Sequence, residues 1–245
     1  MIKLSIISHF YNHIEKVHEQ LARWSQLPEQ ILSMVEFILV DDFSDTEFVP
    51  PVTPLNLRCF KVDTDIDWNQ AGCRNLGVLN ARGEWSLLFD IDQKLTPAAV
   101  PVILANLDRL DPSTLHYLRA EDSYDDINKV TSEFHVNSFL VNTSKFKTIG
   151  LYDEDFTGHY GYEDLYLPYM WEKNGGLKTL LREPFFFEGN LNFRTESLNR
   201  DLERNAALGN QKVALLAQHQ GPGAVRPTHL LRFQWHELNK KQVEY

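Results

Sequence analysis

Residues 84–92 read EWSLLFDID, an apolar run that finishes in two carboxylates, Asp90 and Asp92. The pattern predicts a buried strand, and residues two apart on a strand project to the same side. Two carboxylates held side by side repel each other unless they stand in open water or a cation lies between them. A buried strand delivers them to a fixed spot, which favours the cation. Mg2+ and Mn2+ prefer hard oxygen ligands and are commonly held by one or two carboxylates plus substrate phosphates. In a chain with 34 Asp and Glu residues, a solvated surface pair is the competing reading, and the surrounding sequence has to choose.

Upstream, KLSIISH (3–9), EFILVDD (36–42) and LRCFKV (57–62) have the apolar, β-branched character of strands. HIEKVHEQLARWSQL carries apolar residues at helical spacing up to Pro28; residues 69–81 read as a helix that Gly83 stops, and Pro97 opens another. Strands alternating with helices predict an α/β fold with a mostly parallel central sheet flanked by helices. In such sheets ligands sit at the carboxyl ends of the strands, and two of those ends are Asp41-Asp42 and Asp90-Ile91-Asp92. DDFSD (41–45) is also rich in turn formers, so a simple turn is the second reading of that pair. Downstream, HYLRA (116–120) and SFLVN (138–142) are strand-like, and GHYGYEDLYLPYMWEKNGG (158–176) is a glycine-spaced loop leading into a helix that contains Pro168. From Glu196 to about Gln218 the chain reads as a C-terminal helical tail, and beyond GPG (221–223) lies a basic-aromatic stretch, RPTHLLRFQWHELNKK. The expected division is a single domain over 1–220, built of halves at 1–120 and 121–195, followed by the 221–245 tail.

The bulk numbers narrow the function. With 43% hydrophobic residues the chain can bury a core, so disorder is excluded. A net charge of -10 argues against a broad nucleic-acid surface. Cys59 and Cys73 are too few for a disulfide framework and lack metal-ligand spacing. MIKLSIISHF holds only a short, interrupted apolar run, so neither a signal peptide nor a membrane span is expected, and the location expected is cytoplasmic. No Gly-rich phosphate loop and no GxSxG elbow occurs, and HEQLA (18–22) places Ala22 where a zinc protease needs its second histidine.

FILVDDFSD, then WNQAGCRNLGVLNARGEWSLLFDID, then GYEDLYL occur in the order and approximate spacing of family-2 glycosyltransferases of the GT-A fold, and the chain resembles that family over about residues 2–190. It departs from the family pattern at Ala71 and Cys73, at Phe43 in place of a glycine, and at Ile91-Asp92-Gln93 for the common Ser-Asp-Asp. The resemblance implies a nucleotide-diphospho-sugar transferase with the nucleotide sugar bound by residues 1–120 and the acceptor by 121–195. It places Ser8, Phe10 and Tyr11 beside the base, Asp41 and Asp42 on base and ribose, and Arg74 and Asn75 near the nucleotide. Asp90 would face the ribose or the metal shell, and Asp92 would coordinate Mn2+ or Mg2+. A guanidinium at Arg74 is also readable as the partner of a buried acid.

The pair Glu163-Asp164 resembles the family's ED motif, in which Asp164 would accept the proton of an acceptor hydroxyl and Glu163 would bind that acceptor. Acids at a helix start are also favoured by its partial positive charge. Many relatives supply a metal-binding histidine some 20 residues later; here Glu188 falls near that place. The implied partners are a nucleotide-diphosphate sugar, most readily a UDP-sugar, and a glycan or glycolipid acceptor, with polysaccharide biosynthesis as the setting and no nucleic acid. The reaction would be metal-dependent and inverting. The alternatives are an inactive nucleotide- or glycan-binding module and a nucleotidyltransferase, the latter wanting a Gly-rich basic loop that SHFYNHIEK does not supply. The tail from Arg226 has two readings: peripheral contact with an anionic membrane, or a helix packed on the domain or on a second subunit of a homo-oligomer.

Overall fold

Alternation along the first strands sets the layers. In β1 (Leu4–Phe10) Leu4, Ile6 and Phe10 join one apolar cluster and Ile7 joins another; in β2 (Val35–Asp41) Val35, Phe37 and Leu39 go with the first, Ile38 and Val40 with the second. A strand buried on both faces belongs inside a parallel sheet covered on both sides. The computed structural model describes residues 1–121, 136–188, 200–219, 227 and 229–238.

Helix α1 (Ile14–Trp24) and the short α2 (Glu29–Leu32) connect β1 to β2, and β3 (Leu57–Val62) follows. Helix α3 (Gln70–Asn80) leads to β4 (Trp85–Leu88), then β5 (Lys94–Leu95) and α4 (Ala99–Asn106). The second half contributes β6 (Thr114–Glu121), β7 (Phe139–Asn142), α5 (Thr143–Ile149), α6 (Glu163–Lys173), β8 (Leu177–Glu188), the C-terminal helix α7 (Glu203–Gln218) and β9 (Trp235–Glu237). Among the described residues the sheet runs β5-β8-β6-β7-β4-β1-β2-β3-β9. Its middle, β4-β1-β2-β3, is parallel, with antiparallel joins at β7 and at both edges. One apolar cluster packs α1 and α4 against the sheet, the other α3, α5 and α6.

Buried Glu36 fixes the approach to β4. Its Oε1 accepts from Ser5 Oγ at 2.6 Å and from the backbone N–H groups of Arg82 and Gly83 at 2.5 and 3.3 Å. A Cβ on Gly83 would lie 2.6 Å from the Ser5 backbone nitrogen, so no larger residue fits there.

Two sequence expectations change. The strand expected over 84–92 ends at Leu88, because its pairing with β1 and with β7 stops there. The following residues turn instead, with Gln93 N–H donating to the Asp90 carbonyl at 3.0 Å. Strand alternation therefore does not set the directions of Asp90 and Asp92. The turn does, and Gln20 of α1 secures it by donating to the carbonyls of Ile91 and Gln93. The helix expected from Glu196 is described from Glu203, and residues 196–199 lie outside the description. In the tail, residues 221–226, 228 and 239–245 also lie outside it, whereas Trp235–Glu237 packs on the domain as a strand on the β3 edge rather than as a helix. No helix among the described residues is long and apolar enough to cross a membrane.

Candidate active site

The parallel strands stop at one edge, and the acids gather in two groups there. The first group follows β2. Asp41 is fully buried; its Oδ1 accepts from Ser44 N–H at 2.8 Å and its Oδ2 lies 3.6 Å from Lys61 Nζ, so the turn anticipated for DDFSD is present. Asp42 accepts from the Asn69 amide at 3.2 Å, and burial pushes its carboxyl up to about 6 despite donation from the Cys73 thiol and from Asn69. Asn69 stands at the start of α3 but turns its side chain to Asp42 instead of capping the helix. Of the β1 residues, Ser8 donates to the Phe89 carbonyl at 2.9 Å, Phe10 is core, and Tyr11 is partly exposed beside Asp42, Asp45, Asp65 and Asp67.

The second group surrounds Arg74, which is 1% exposed. Its guanidinium donates to Asp90 Oδ1, to the Tyr152 hydroxyl at 2.9 Å and to the Asn137 carbonyl at 3.1 Å. Asp90 takes a second bond, 3.2 Å long, from the Asn137 amide. Burial opposes the Arg74 charge, but Tyr152, Asp90 and Glu163 more than offset it and hold the pKa above its ordinary value. Both readings of Arg74 thus concern one contact, since the acid it pairs with is Asp90, itself expected in the site. His9 joins the group: its Nδ1 is buried without a hydrogen-bond partner, and burial, helped by Arg74, pushes its pKa down to about 4.

Glu163 and Asp164 open α6 opposite this pair. The loop before them needs left-handed backbone at Gly158, Gly161 and Tyr162 (φ 86°, 77° and 76°), a conformation costly for tyrosine. The loop is held there by Gly158 N–H donating to the Asp67 carbonyl at 2.8 Å. It is held also by the buried Asn205 amide, which donates to the carbonyls of Phe156, His159 and Gly161 at 3.0, 2.9 and 2.7 Å. Burial, then the neighbouring Asp164, pushes Glu163 up to about 8. Burial also raises Asp164, with Arg74 and its own bond from Leu165 N–H (2.8 Å) opposing and Asp90 reinforcing the rise. The charges of Arg74 and Asp90 therefore reach both carboxyls of α6. Burial thus disfavours the charge on both carboxyls, and each reinforces the other's hold on a proton.

Helix α3 spans the two groups. Asn69 touches Asp42 and Arg74 touches Asp90, about 8 Å apart along a helix that rises 1.5 Å per residue. That arrangement suits an elongated ligand with its neutral, hydrogen-bonding end at Asp42 and its charged end at Asp90.

Asn75 faces the other way. It donates to the Tyr152 carbonyl at 3.0 Å and to Glu154 Oε1 at 2.8 Å and accepts from Tyr152 N–H at 2.9 Å. Replacing Asn75 by Ala is therefore expected to cost about 1–3 kcal/mol in urea unfolding and to shift UDP affinity less than twofold. A tenfold loss of UDP affinity at unchanged stability would put Asn75 on the nucleotide.

A divalent cation fits the donor set only in part. Asp92 is partly exposed on the turn, while both Asp90 oxygens already accept from Arg74 and Asn137. Among the described residues no group of three His, Cys, Asp or Glu side chains could hold a metal. The Glu188 backbone pairs with Lys94, two residues past Asp92, which sets it beside the turn; its side chain lies outside the description. This donor set suits a cation that arrives with a diphosphate and takes most of its shell from phosphate and water.

The sequence reading passed over Asn69, Asn137, Tyr152, His9 and Gln20. Only Asn69, at a helix start, carried a signal.

Comparison with known proteins follows the same lines. The family model for glycosyl transferase family 2 matches residues 5–165. A search of curated proteins returns no match. Among solved structures, S. aureus TarS 1–349 in complex with UDP-GlcNAc is similar with a TM-score of 0.65 at 15% identity, over 88% of this chain and 66% of that one. The UDP complex of the same fragment gives 0.61 at 16%, over 88% and 65%, and a longer TarS structure gives 0.62 at 16%, over 87% and 39%. The chain thus spans less than two thirds of these TarS structures, and at such identities the likeness shows a common fold.

Proposed function

Because the chain belongs to glycosyl transferase family 2, we propose that it is an inverting, metal-dependent glycosyltransferase that moves a sugar from a UDP-sugar to a hydroxyl of a glycan or glycoconjugate. One observation carries the proposal: Glu163 and Asp164, at the start of α6, share an electrostatic cluster with the Arg74–Asp90 pair at the ends of the strands. A catalytic base thereby faces the end of the site suited to a charged leaving group. The TarS complexes with UDP-GlcNAc and UDP support a uridine donor on the same fold.

In this reading Asp42, Asn69 and Tyr11 receive the nucleoside, and Asp92, with Asp90 and Glu188, would hold the metal. A divalent cation bound there with the diphosphate would supply Lewis-acid neutralisation of the leaving group. Asp164 takes the proton of the acceptor hydroxyl as that oxygen bonds to the anomeric carbon. The bond from that carbon to the diphosphate oxygen breaks, and its electron pair leaves with UDP. Glu163, protonated, donates a hydrogen bond to the acceptor, and Arg74 fixes Asp90 while tempering the charge on Asp164. The single displacement inverts the anomeric centre.

Calorimetric titration with UDP, with and without Mn2+, tests this together with UDP release from a panel of UDP-sugars. Mn2+ is expected to tighten UDP binding at least tenfold and a UDP-sugar to hydrolyse slowly. No UDP binding under either condition would refute the proposal. Metal-dependent binding without sugar release, whatever acceptor is added, would leave a binding module.

A further inference from the structure

A cleft of about 390 Å³ lies between α6 and α7, backed by Tyr117 of β6, and Asp164 lines it. Arg74 and Asp90 also act on Asp164, so the proposed base belongs both to the Arg74–Asp90 group and to the lining of this cleft. Tyr162, Leu165, Tyr166 and Tyr169 follow the spacing i, i+3, i+4, i+7 and make one stripe, about 10 Å long at 1.5 Å per residue. Tyr166 is buried against Phe156, whereas Leu165 and Tyr169 remain 48% and 55% exposed. Tyr162 is pressed against α7, where a Cβ on Gly209 would come within 2.9 Å of its ring.

The lining names a ligand class. Tyrosines offer an apolar face and a polar rim, which matches sugar rings with their C–H faces and hydroxyl edges. Among the described residues Lys178 is the cation of the cleft, and it lies 3.1 Å from Glu172, so no unbalanced positive charge there invites a phosphate or sulfate. A purely aliphatic ligand would strand Asp164, Asn210 and the tyrosine hydroxyls. At about 390 Å³ the cleft has room for more than one ring.

We infer that the cleft between α6 and α7 is the acceptor subsite and takes a neutral oligosaccharide of two or more units, its terminal hydroxyl at Asp164 and a further ring on Tyr169. The inference rests on the transferase reading and adds the substrate class.

The test is a glycan array probed with the full chain in the presence of UDP and Mn2+. Wild type is compared with Tyr169→Ala, which removes the platform, and Asn210→Trp, which fills the cleft from α7. Val52→Trp, in an exposed loop between β2 and β3, serves as the control, and circular dichroism confirms folding. Neutral glycans of at least two units should be retained by wild type and control, with signals at least tenfold lower for both cleft variants. Retention of single sugars only, of anionic glycans only or of none, or retention independent of both variants, would overturn the inference. Calorimetry with UDP on the same preparations separates the two readings. Absent UDP binding by wild type removes the transferase, whereas UDP binding with glycan retention indifferent to the cleft removes only the acceptor subsite.

Discussion

Replacing Asp164 by Asn is expected to lower kcat by about 10²–10⁴-fold, the usual contribution of a positioned general base, while UDP affinity changes less than threefold. Asp164 is bonded through its Oδ1 to the Leu165 N–H within its own helix, so the amide retains the local geometry and loses only basicity. The pH profile should show why. Asp164 must be ionised, and burial lifts it above the ordinary carboxylate range, so the rate should rise with pH through a raised acid limb. Glu163 must keep its proton to donate, and at about 8 it sets an alkaline limb. The limbs belong to the pair, since each charge shifts the other's titration. Glu163→Gln, which keeps a donor at every pH, should remove the alkaline limb and leave the acid one.

Stability carries the same sign. A carboxyl raised from 4.5 to about 8 on folding stabilises the native state fully below pH 4.5, and that contribution is lost as pH rises through 8. Glu163→Gln should therefore flatten the loss of stability over that window by a few kcal/mol. An Asp164→Asn enzyme with unchanged kcat would remove proton abstraction from this side chain.

The acids that follow β2 and β4 were legible because each pair comes after an apolar run. FILV ahead of Asp41 and LLF ahead of Asp90 are too apolar for anything but buried strands, and a strand inside a sheet fixes where its end points. The same logic overreached at Asp90 and Asp92, whose directions a turn sets. Periodicity continues as long as residues alternate, but a strand continues only while it has partners, and those of β4 stop at Leu88. β8 escaped notice for the opposite reason. LKTLLREPFFFE contains Pro184 and several charges, poor strand material. The register against β6 jumps from Leu118–Leu181 to Arg119–Phe186, so the proline falls in the excursion between two paired stretches. Asn137 and Tyr152 were illegible because they reach Arg74 across 63 and 78 residues of chain. Only the fold brings them together, and no local pattern records that meeting.

Arg74 is where fold and site depend on one group, and Arg74→Met is expected to destabilise the protein by about 3–5 kcal/mol in urea unfolding. The methionine fills much of the volume, so packing is not the main loss. What remains behind is Asp90, one-fifth exposed and stripped of its cation, together with Glu163 and Asp164, whose charges Arg74 now tempers. The Tyr152 hydroxyl and the Asn137 carbonyl lose their donor in the same step. Arg74→Lys should recover little, because one ammonium cannot reproduce a planar fork that serves three acceptors. Adding Asp90→Asn to Arg74→Met should restore part of the stability by removing the stranded charge, giving a coupling energy above about 1 kcal/mol. The rate profile gives a second readout: with the cation gone, Asp164 is a weaker acid, and its acid limb should move to higher pH. A variant that loses less than about 1 kcal/mol, with its acid limb in place, would mean that the Arg74–Asp90 contact organises neither the fold nor the base.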